Sequence, residues 1–121
     1  MFLVDDDKAV LNAATQILEN LGYSVIPHND SSKALAALQD ADLNDPGFDL
    51  ILTDLTMPKI DGMQLAREAA LLHPGIPILM ITGYGEEVNT NTAPITALLR
   101  KPISRTDLAQ AIRDAIDVGK S

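Results

Sequence analysis

Residues 49–62 read DLILTDLTMPKIDG, and they join two features that normally exclude each other. Leu50, Ile51 and Leu52 form a continuous apolar run, which is typical of a parallel strand that is buried on both faces. The same run leads into Asp54, whose charge is costly to bury unless something compensates it. The stretch therefore predicts a buried strand with a carboxylate at its end, and other parts of the chain must supply the compensation.

The composition limits the class of protein. The 121 residues suffice for one domain, residues 1–121, and 46% of them are hydrophobic. No apolar run is long enough to span a membrane, and because Met1 leads directly into Phe2-Leu3-Val4 without a basic region, we expect no signal peptide. The absence of cysteine excludes disulfides and thiolate metal sites. Nine basic against seventeen acidic residues give a net charge of −8, which argues against nucleic acid or an anionic membrane as a direct partner. We expect a cytoplasmic domain.

Short apolar runs alternate with amphipathic stretches along the whole chain. The predicted strands are Phe2–Val4, Tyr23–Pro27, a third that ends at Asp54, Ile76–Ile81 and Ala97–Leu99. The first predicted helix runs from Val10 to Leu21, with Gly22 after its end, and the second runs from a cap at Ser31 or Ser32 through Leu38. A third helix is predicted from about Met63 to before Pro74, and a last one from Ser104 onward. A helix between strands four and five is expected to be short or frayed. This alternation predicts a largely parallel sheet with helices on both faces.

Polar residues stand at the carboxyl ends of four predicted strands. Asp5 and Asp6 follow strand one, and Asp54 ends strand three. Thr82 ends strand four, and Lys101 follows strand five. Taken singly, Asp5-Asp6-Asp7 would most simply be a helix cap, Asp61-Gly62 a turn, and Thr82-Gly83 and Lys101-Pro102 the ends of strands. In a parallel sheet, however, these ends share the one edge where ligands bind, and turns alone do not explain their joint occurrence.

Three carboxylates at one edge repel one another unless a cation lies between them. Mg²⁺ suits such a place, because it takes oxygen ligands, keeps waters and binds phosphate. A carboxylate is also a competent nucleophile towards phosphorus, while an ammonium and a hydroxyl can neutralise and orient the phosphoryl oxygens. Neither His28 nor His73 lies at this edge, and the chain has no phosphate-binding P-loop. The sequence therefore favours phosphoryl acceptance over nucleotide hydrolysis or acyl transfer.

Over essentially its whole length the chain resembles the receiver domains of two-component response regulators, and in particular those attached to hybrid sensor histidine kinases. The motifs that carry the resemblance are FLVDDD, DLILTDLTMPKIDG, ILMITGYG and LLRKPIS. The resemblance implies an α/β fold, the flavodoxin-like (βα)5 doubly wound parallel sheet with strand order 2-1-3-4-5. It also implies a phosphorelay function rather than that of a conventional enzyme, with self-catalysed phosphorylation and autodephosphorylation.

The resemblance assigns roles to individual residues. Asp54 would be the phosphoacceptor, Thr82 would hydrogen-bond the phosphoryl group, and Lys101 would pair with it. The ligands of Mg²⁺ would be Asp6, Asp54, the main-chain carbonyl of Thr56, waters, and Asp5 acting mostly through water. The phosphoryl donor would be a histidine kinase or histidine phosphotransfer protein. A downstream protein target would bind the face formed by the fourth helix, fifth strand and fifth helix of the family fold.

Two departures from the family pattern affect how a signal would leave the site. Leu98 stands where the family usually has Tyr or Phe, and Pro94–Ala97 replaces the common Gly-Ala pair. Because leucine is smaller and has no hydroxyl, we expect an element other than the side chain at position 98 to carry the signal. Residues 86–94 are the candidate, because their composition predicts few buried contacts, and we expect them to be mobile until the site is filled. The resemblance also implies a cis bond before Pro102, and Tyr84 is expected to slow the loss of the phosphoryl group.

Two other functions are compatible with such a fold. One is a pseudo-receiver that binds proteins and is never phosphorylated, against which the intact acidic cluster argues. The other is a flavodoxin-like cofactor carrier. Two Tyr and two Phe are few for stacking on a flavin, and fold alone is a poor guide to function.

Overall fold

The computed structural model describes residues 1–41, 47–83, 94–101 and 104–120, with side chains as far as residue 116. The strands are β1 (Phe2–Val4), β2 (Ile26–His28), β3 (Ile51–Asp54), β4 (Ile78–Thr82) and β5 (Ala97–Arg100). The helices are α1 (Lys8–Asn20), α2 (Ser31–Asp40), α3 (Gly62–Leu72) and α4 (Arg105–Lys120), the last corresponding to the helix predicted from Ser104 onward. The predicted helix between β4 and β5, Tyr84 and the bond before Pro102 lie outside the described residues.

The strands form one parallel sheet in the order β2-β1-β3-β4-β5, which confirms the predicted fold. In the register of this sheet Asp54 lies opposite Ile81, so Thr82 is one residue further along the neighbouring strand. Thr82 in turn lies opposite Arg100, directly before Lys101. The register thus brings the ends of β3, β4 and β5 to one level.

Both faces of the sheet are covered by helices. Leu50 and Leu52 pack in the core on the side of α1 and α4, whereas Ile51 packs on the side of α2 and α3. All three side chains are fully buried. This two-sided burial explains the continuous apolar run, because a strand with helices on both faces has no solvent-exposed side.

The second strand begins at Ile26 rather than at the predicted Tyr23. The amide of Tyr23 donates back to the carbonyl of Leu18 at 3.1 Å, and that of Gly22 donates to the carbonyl of Glu19 at 3.0 Å. This is a Schellman ending of α1, with Gly22 at φ 99° in its predicted place after the helix. Tyr23 is therefore part of the helix terminus and is unavailable to the strand.

Helix α2 is capped by Asp30, so the predicted cap at Ser31 or Ser32 was wrong. The Asp30 carboxylate accepts hydrogen bonds from the amides of Ser32 at 2.9 Å and Lys33 at 3.2 Å. Aspartate and serine are similarly good capping residues, so local sequence does not choose between neighbours of these types. Ser31 is instead the first residue of the helix, and it is buried. Among the described helices, none has the length and apolar character needed to cross a membrane.

Candidate functional site

Three aspartates meet at the carboxyl edge of the sheet. One carboxylate oxygen each from Asp5, Asp6 and Asp54 lies within 4.8 Å of the other two. Asp5 and Asp54 are 3% and 5% exposed, whereas Asp6 is exposed to solvent. The edge is therefore an acidic cluster with two buried members and one that faces water.

The three aspartates after β1 have different roles. Asp7 caps α1, because its carboxylate accepts from the amides of Ala9 at 2.9 Å and Val10 at 3.3 Å. The amide of Asp7 itself donates to Oδ1 of Asp5 at 2.9 Å, which fixes the buried carboxylate. The helix-cap interpretation of this run thus holds for Asp7 alone.

Both oxygens of Asp54 have neighbours that donate to them. The amide of Leu55 donates to Oδ1 at 2.9 Å, and Lys101 Nζ lies 3.4 Å from Oδ2. The main chain of Lys101 is held in turn, since its amide donates to the carbonyl of Thr82 at 2.8 Å. The sheet therefore fixes the lysine backbone beside the carboxylate that its ammonium partly neutralises.

The electrostatics of the cluster favour a bound cation. Burial raises the pKa of the Asp54 carboxyl group above its usual value of 3.8, and the neighbouring Lys101 lowers it again in part. Burial is also the largest cause that raises the pKa of Asp5, to which the charge of Asp54 adds. Divalent cations such as Mg²⁺ bind carboxylate oxygens and would offset both burial and repulsion. The residues present therefore fit an Mg²⁺ ion.

A buried hydroxyl lies at the same edge. Thr82 is completely buried at the end of β4, and no residue in the described part of the chain offers its Oγ1 a hydrogen bond. An unpartnered buried hydroxyl costs free energy, so such groups usually serve a purpose. This one is available to donate to an oxygen that enters the edge.

The loop after β3 is closed tightly at its base. The amide of Gly62 donates to the carbonyl of Leu55 at 2.7 Å. A β-carbon on Gly62 would lie 2.8 Å from Cα of Leu55 and 2.9 Å from the carbonyl carbon of Asp54, so only glycine fits. The sequence interpretation of Asp61-Gly62 as a simple turn missed this contact; Asp61 in fact caps α3.

Thr56 is exposed in the same loop, and its role as a ligand stays a prediction.

Neither histidine side chain belongs to the acidic cluster, although His28 ends β2 at the same edge and its carbonyl accepts from the amide of Asp5 at 3.1 Å. His73 is buried, with ring Nε2 2.9 Å from the carbonyl oxygen of Leu38. The His28 ring stacks on Phe2 with the ring centroids 4.7 Å apart. Both imidazoles pack on the α2 and α3 side of the sheet, His28 against Phe2 and His73 against Phe48.

Comparison with known proteins places the chain in a family. Residues 1–113 match the family model of the response regulator receiver domain. The transcriptional regulatory protein GlrR of Escherichia coli (strain K12) is 33% identical over 97% of this chain, which spans 26% of GlrR. The response regulator receiver protein CpdR of Brucella abortus (strain 2308) is 35% identical over 93% of this chain and 92% of its own length. The chain thus spans about a quarter of one relative and most of the other.

A solved structure shows the same architecture. A response regulator receiver domain protein from Clostridium thermocellum superposes with a TM-score of 0.88 at 30% identity, covering 98% of this chain and 94% of that chain. The fold agreement extends to the strand order that brings the acidic edge together. With the sequence match over residues 1–113, it shows that this chain belongs to the response regulator receiver domain family.

Proposed function

We propose that residues 1–121 act as one receiver domain that accepts a phosphoryl group on Asp54 in a two-component phosphorelay. One observation carries this proposal: the Asp54 carboxylate lies among two further aspartates, with an ammonium 3.4 Å from one of its oxygens. The buried hydroxyl of Thr82 at the neighbouring strand end, which has no hydrogen-bond partner among the described residues, supports it. Such a combination suits the transfer of a charged group better than it suits structural stability.

The transfer step is a displacement at phosphorus. An oxygen of Asp54 attacks the phosphorus of a phosphohistidine, so that a P–O bond forms while the P–N bond breaks. The electron pair of the broken bond stays on the imidazole nitrogen, which takes up a proton from water. Lys101 neutralises charge on the phosphoryl oxygens and Thr82 donates a hydrogen bond to one of them. The same groups act in autodephosphorylation, where water attacks the phosphorus.

A bound Mg²⁺ ion would neutralise the carboxylates and the incoming phosphoryl oxygens. The residues that would hold it are Asp5, through water, Asp6, Asp54 and the main-chain carbonyl of Thr56. The oxygens within 4.8 Å of one another and the raised pKa values of Asp5 and Asp54 support this assignment. The exposed carboxylate of Asp6 leaves a side on which waters can complete the coordination.

The proposed partners are a histidine kinase or histidine phosphotransfer protein upstream and a protein target downstream. The target would bind the face formed by the segment between β4 and β5, by β5 and by α4. A groove between β5 and α4 supports this choice, and its lining includes Leu98, Asp107 and Asp114. The net charge of −8 favours a protein over nucleic acid or membrane as the direct partner, and we propose a cytoplasmic location.

Acetyl phosphate, with Mg²⁺ or with EDTA, tests the proposal. The wild-type chain is expected to gain the mass of one phosphoryl group only when Mg²⁺ is present. Asp54→Asn should gain none, whereas Asp49→Asn, which changes an exposed aspartate before the same strand, should react like wild type. Phosphoryl incorporation by Asp54→Asn at the wild-type rate would refute the assignment.

A further inference from the structure

The amino end of α2 holds the loop that follows β3. The Ser31 hydroxyl donates to the carbonyl of Pro58 at 2.8 Å and accepts from the amide of Ile60 at 3.1 Å. Ser31 is 2% exposed, so water does not readily replace these bonds. One buried side chain thus spans two main-chain groups of a loop that lies more than twenty-five residues further along the chain.

The segment that Ser31 holds has an unfavourable backbone conformation. The amide of Ile60 also donates to the carbonyl of Pro58 at 2.9 Å, across Lys59 with φ 71°. This is a γ-turn of the strained kind, which persists only where its surroundings hold it. Lys59 Nζ lies 2.7 Å from Oδ2 of Asp30, the residue that caps α2. The two hydrogen bonds of Ser31 and the ion pair of Asp30 therefore all join the turn to the amino end of α2.

The same loop begins at the acidic cluster. The amide of Leu55, its first residue, donates to Oδ1 of Asp54, and Thr56 comes next. At its far end the loop closes through the bond from Gly62 to Leu55. The first end is bonded to β4 through the amide of Leu55, which donates to the carbonyl of Ile81 at 2.9 Å, and the Ser31 contacts hold the part of the loop between the two ends. The position of the Thr56 main chain then depends on a helix that contributes no ligand.

We propose that Ser31 is a positioning residue for the metal site, because its hydroxyl holds the loop of residues 55–61 in the conformation that binds Mg²⁺. This inference rests on the proposed function, which makes the Thr56 carbonyl a ligand. Without the hydroxyl, the γ-turn keeps its internal bond from Ile60 to Pro58 and the solvent-exposed ion pair of Lys59 with Asp30, but it loses its two buried hydrogen bonds to α2. The loop then samples other positions, and the ion has to select the competent one.

Mg²⁺ affinity of the full chain tests the inference through a matched pair of variants. Ser31→Ala removes the hydroxyl, and Ser32→Ala makes the same change one residue later, where the amide rather than the hydroxyl serves the Asp30 cap. Calorimetry should show the Mg²⁺ Kd of Ser31→Ala raised by about threefold to tenfold, which corresponds to the net strength of one hydrogen bond. Ser32→Ala should bind like wild type.

The outcomes separate the inference from the proposed function. An unchanged Kd in Ser31→Ala overturns the inference, even if the variant melts at a lower temperature in EDTA, because a purely structural role would do only that. An equal loss in Ser32→Ala overturns it as well, since the effect would then belong to α2 in general. A wild-type chain that binds no Mg²⁺ overturns the proposed metal site together with the inference.

Hydrogen exchange of the wild-type chain gives a second test that needs no substitution. If Mg²⁺ binds the loop conformation that Ser31 holds better than the open loop, it should lower the population in which the Ile60 amide is open, and exchange of that amide should slow when the ion binds. The amide of Ile76, which bonds to His73 at the opposite edge of the sheet, is the control. Exchange at Ile60 that is indifferent to Mg²⁺, or that slows no more than at Ile76, contradicts the inference.

Discussion

Replacement of Gly62 by alanine tests how closely α3 approaches the strand that carries Asp54. The added β-carbon would overlap the main-chain carbonyl oxygen of Asp54 and would lie 2.8 Å from Cα of Leu55, where ordinary contact begins at 3.4 Å. Main-chain atoms of β3 and the residue after it cannot rotate away, so the start of α3 must retreat by more than an ångström. Such a shift stretches the 2.7 Å bond from Gly62 to Leu55 that closes the loop.

The expected loss of stability follows from two costs and one gain. Overpacking against fixed backbone costs about 1–3 kcal/mol, and the weakened hydrogen bond adds about 1 kcal/mol. Alanine is the better helix former, which returns at most about 1 kcal/mol. The balance is a loss of roughly 1–3 kcal/mol, or a decrease in Tm of roughly 5–15 °C for a domain of this size.

Thermal melts of Gly62→Ala and Gly22→Ala decide this prediction. At Gly22 no atom lies within 4 Å of the added carbon, and φ is 99°, so that variant suffers backbone strain alone, about 1–2 kcal/mol. In Gly62→Ala the added carbon should also reduce the stabilisation by Mg²⁺, since the displaced loop begins at Asp54. A Gly62→Ala chain that melts at or above the wild-type temperature, with a full response to Mg²⁺, would refute the close approach.

Three further predictions concern the acidic edge. The buried hydroxyl of Thr82 has no partner in the part of the chain that the structure describes, and Thr82→Val removes it while keeping the shape of the side chain. The variant should gain about 1 kcal/mol of stability in thermal melts and should incorporate phosphoryl groups more slowly; lower stability with unchanged incorporation would contradict this. Because folding raises the pKa of Asp54, metal-free wild-type protein should lose stability as pH rises from 3.8 through the raised pKa. Denaturant titrations should show that Asp54→Asn lacks the part of this loss that Asp54 causes, and parallel pH profiles of the two proteins would count against the prediction. Mg²⁺ should raise Tm saturably against an EDTA control, and Asp6→Ala should remove most of the effect; a full response in that variant would exclude Asp6 as a ligand.

The acidic edge could be predicted from sequence because parallel topology alone determines it. Once Phe2–Val4 and the run before Asp54 are identified as parallel strands, the residues at their carboxyl ends must share one edge. Neither the distances nor the pKa directions follow from the sequence. Those depend on burial, which is a property of the packed helices on both faces.

Ser31 and Gly62 could not be assigned in the same way. The hydroxyl of Ser31 bonds to residues 27 and 29 positions away, and local pattern carries no information on such a contact. The sequence analysis predicted a cap at Ser31 or Ser32, but aspartate caps a helix equally well, and only the backbone of the folded chain selects Asp30. The closeness of Gly62 to β3 is likewise a result of how α3 packs. A glycine after aspartate is also typical of an ordinary turn.

The most direct test of the central claim is to identify the residue that carries the phosphoryl group. An aspartyl phosphate is an acyl phosphate, so borohydride reduces it to homoserine, and the peptide that contains the modified residue changes in mass accordingly. After treatment with acetyl phosphate and Mg²⁺, we expect homoserine at position 54 and unmodified aspartate at positions 5 and 6. Homoserine at either of those two positions, or phosphorylation that leaves Asp54 unmodified, would contradict the assignment of Asp54 as the phosphoacceptor.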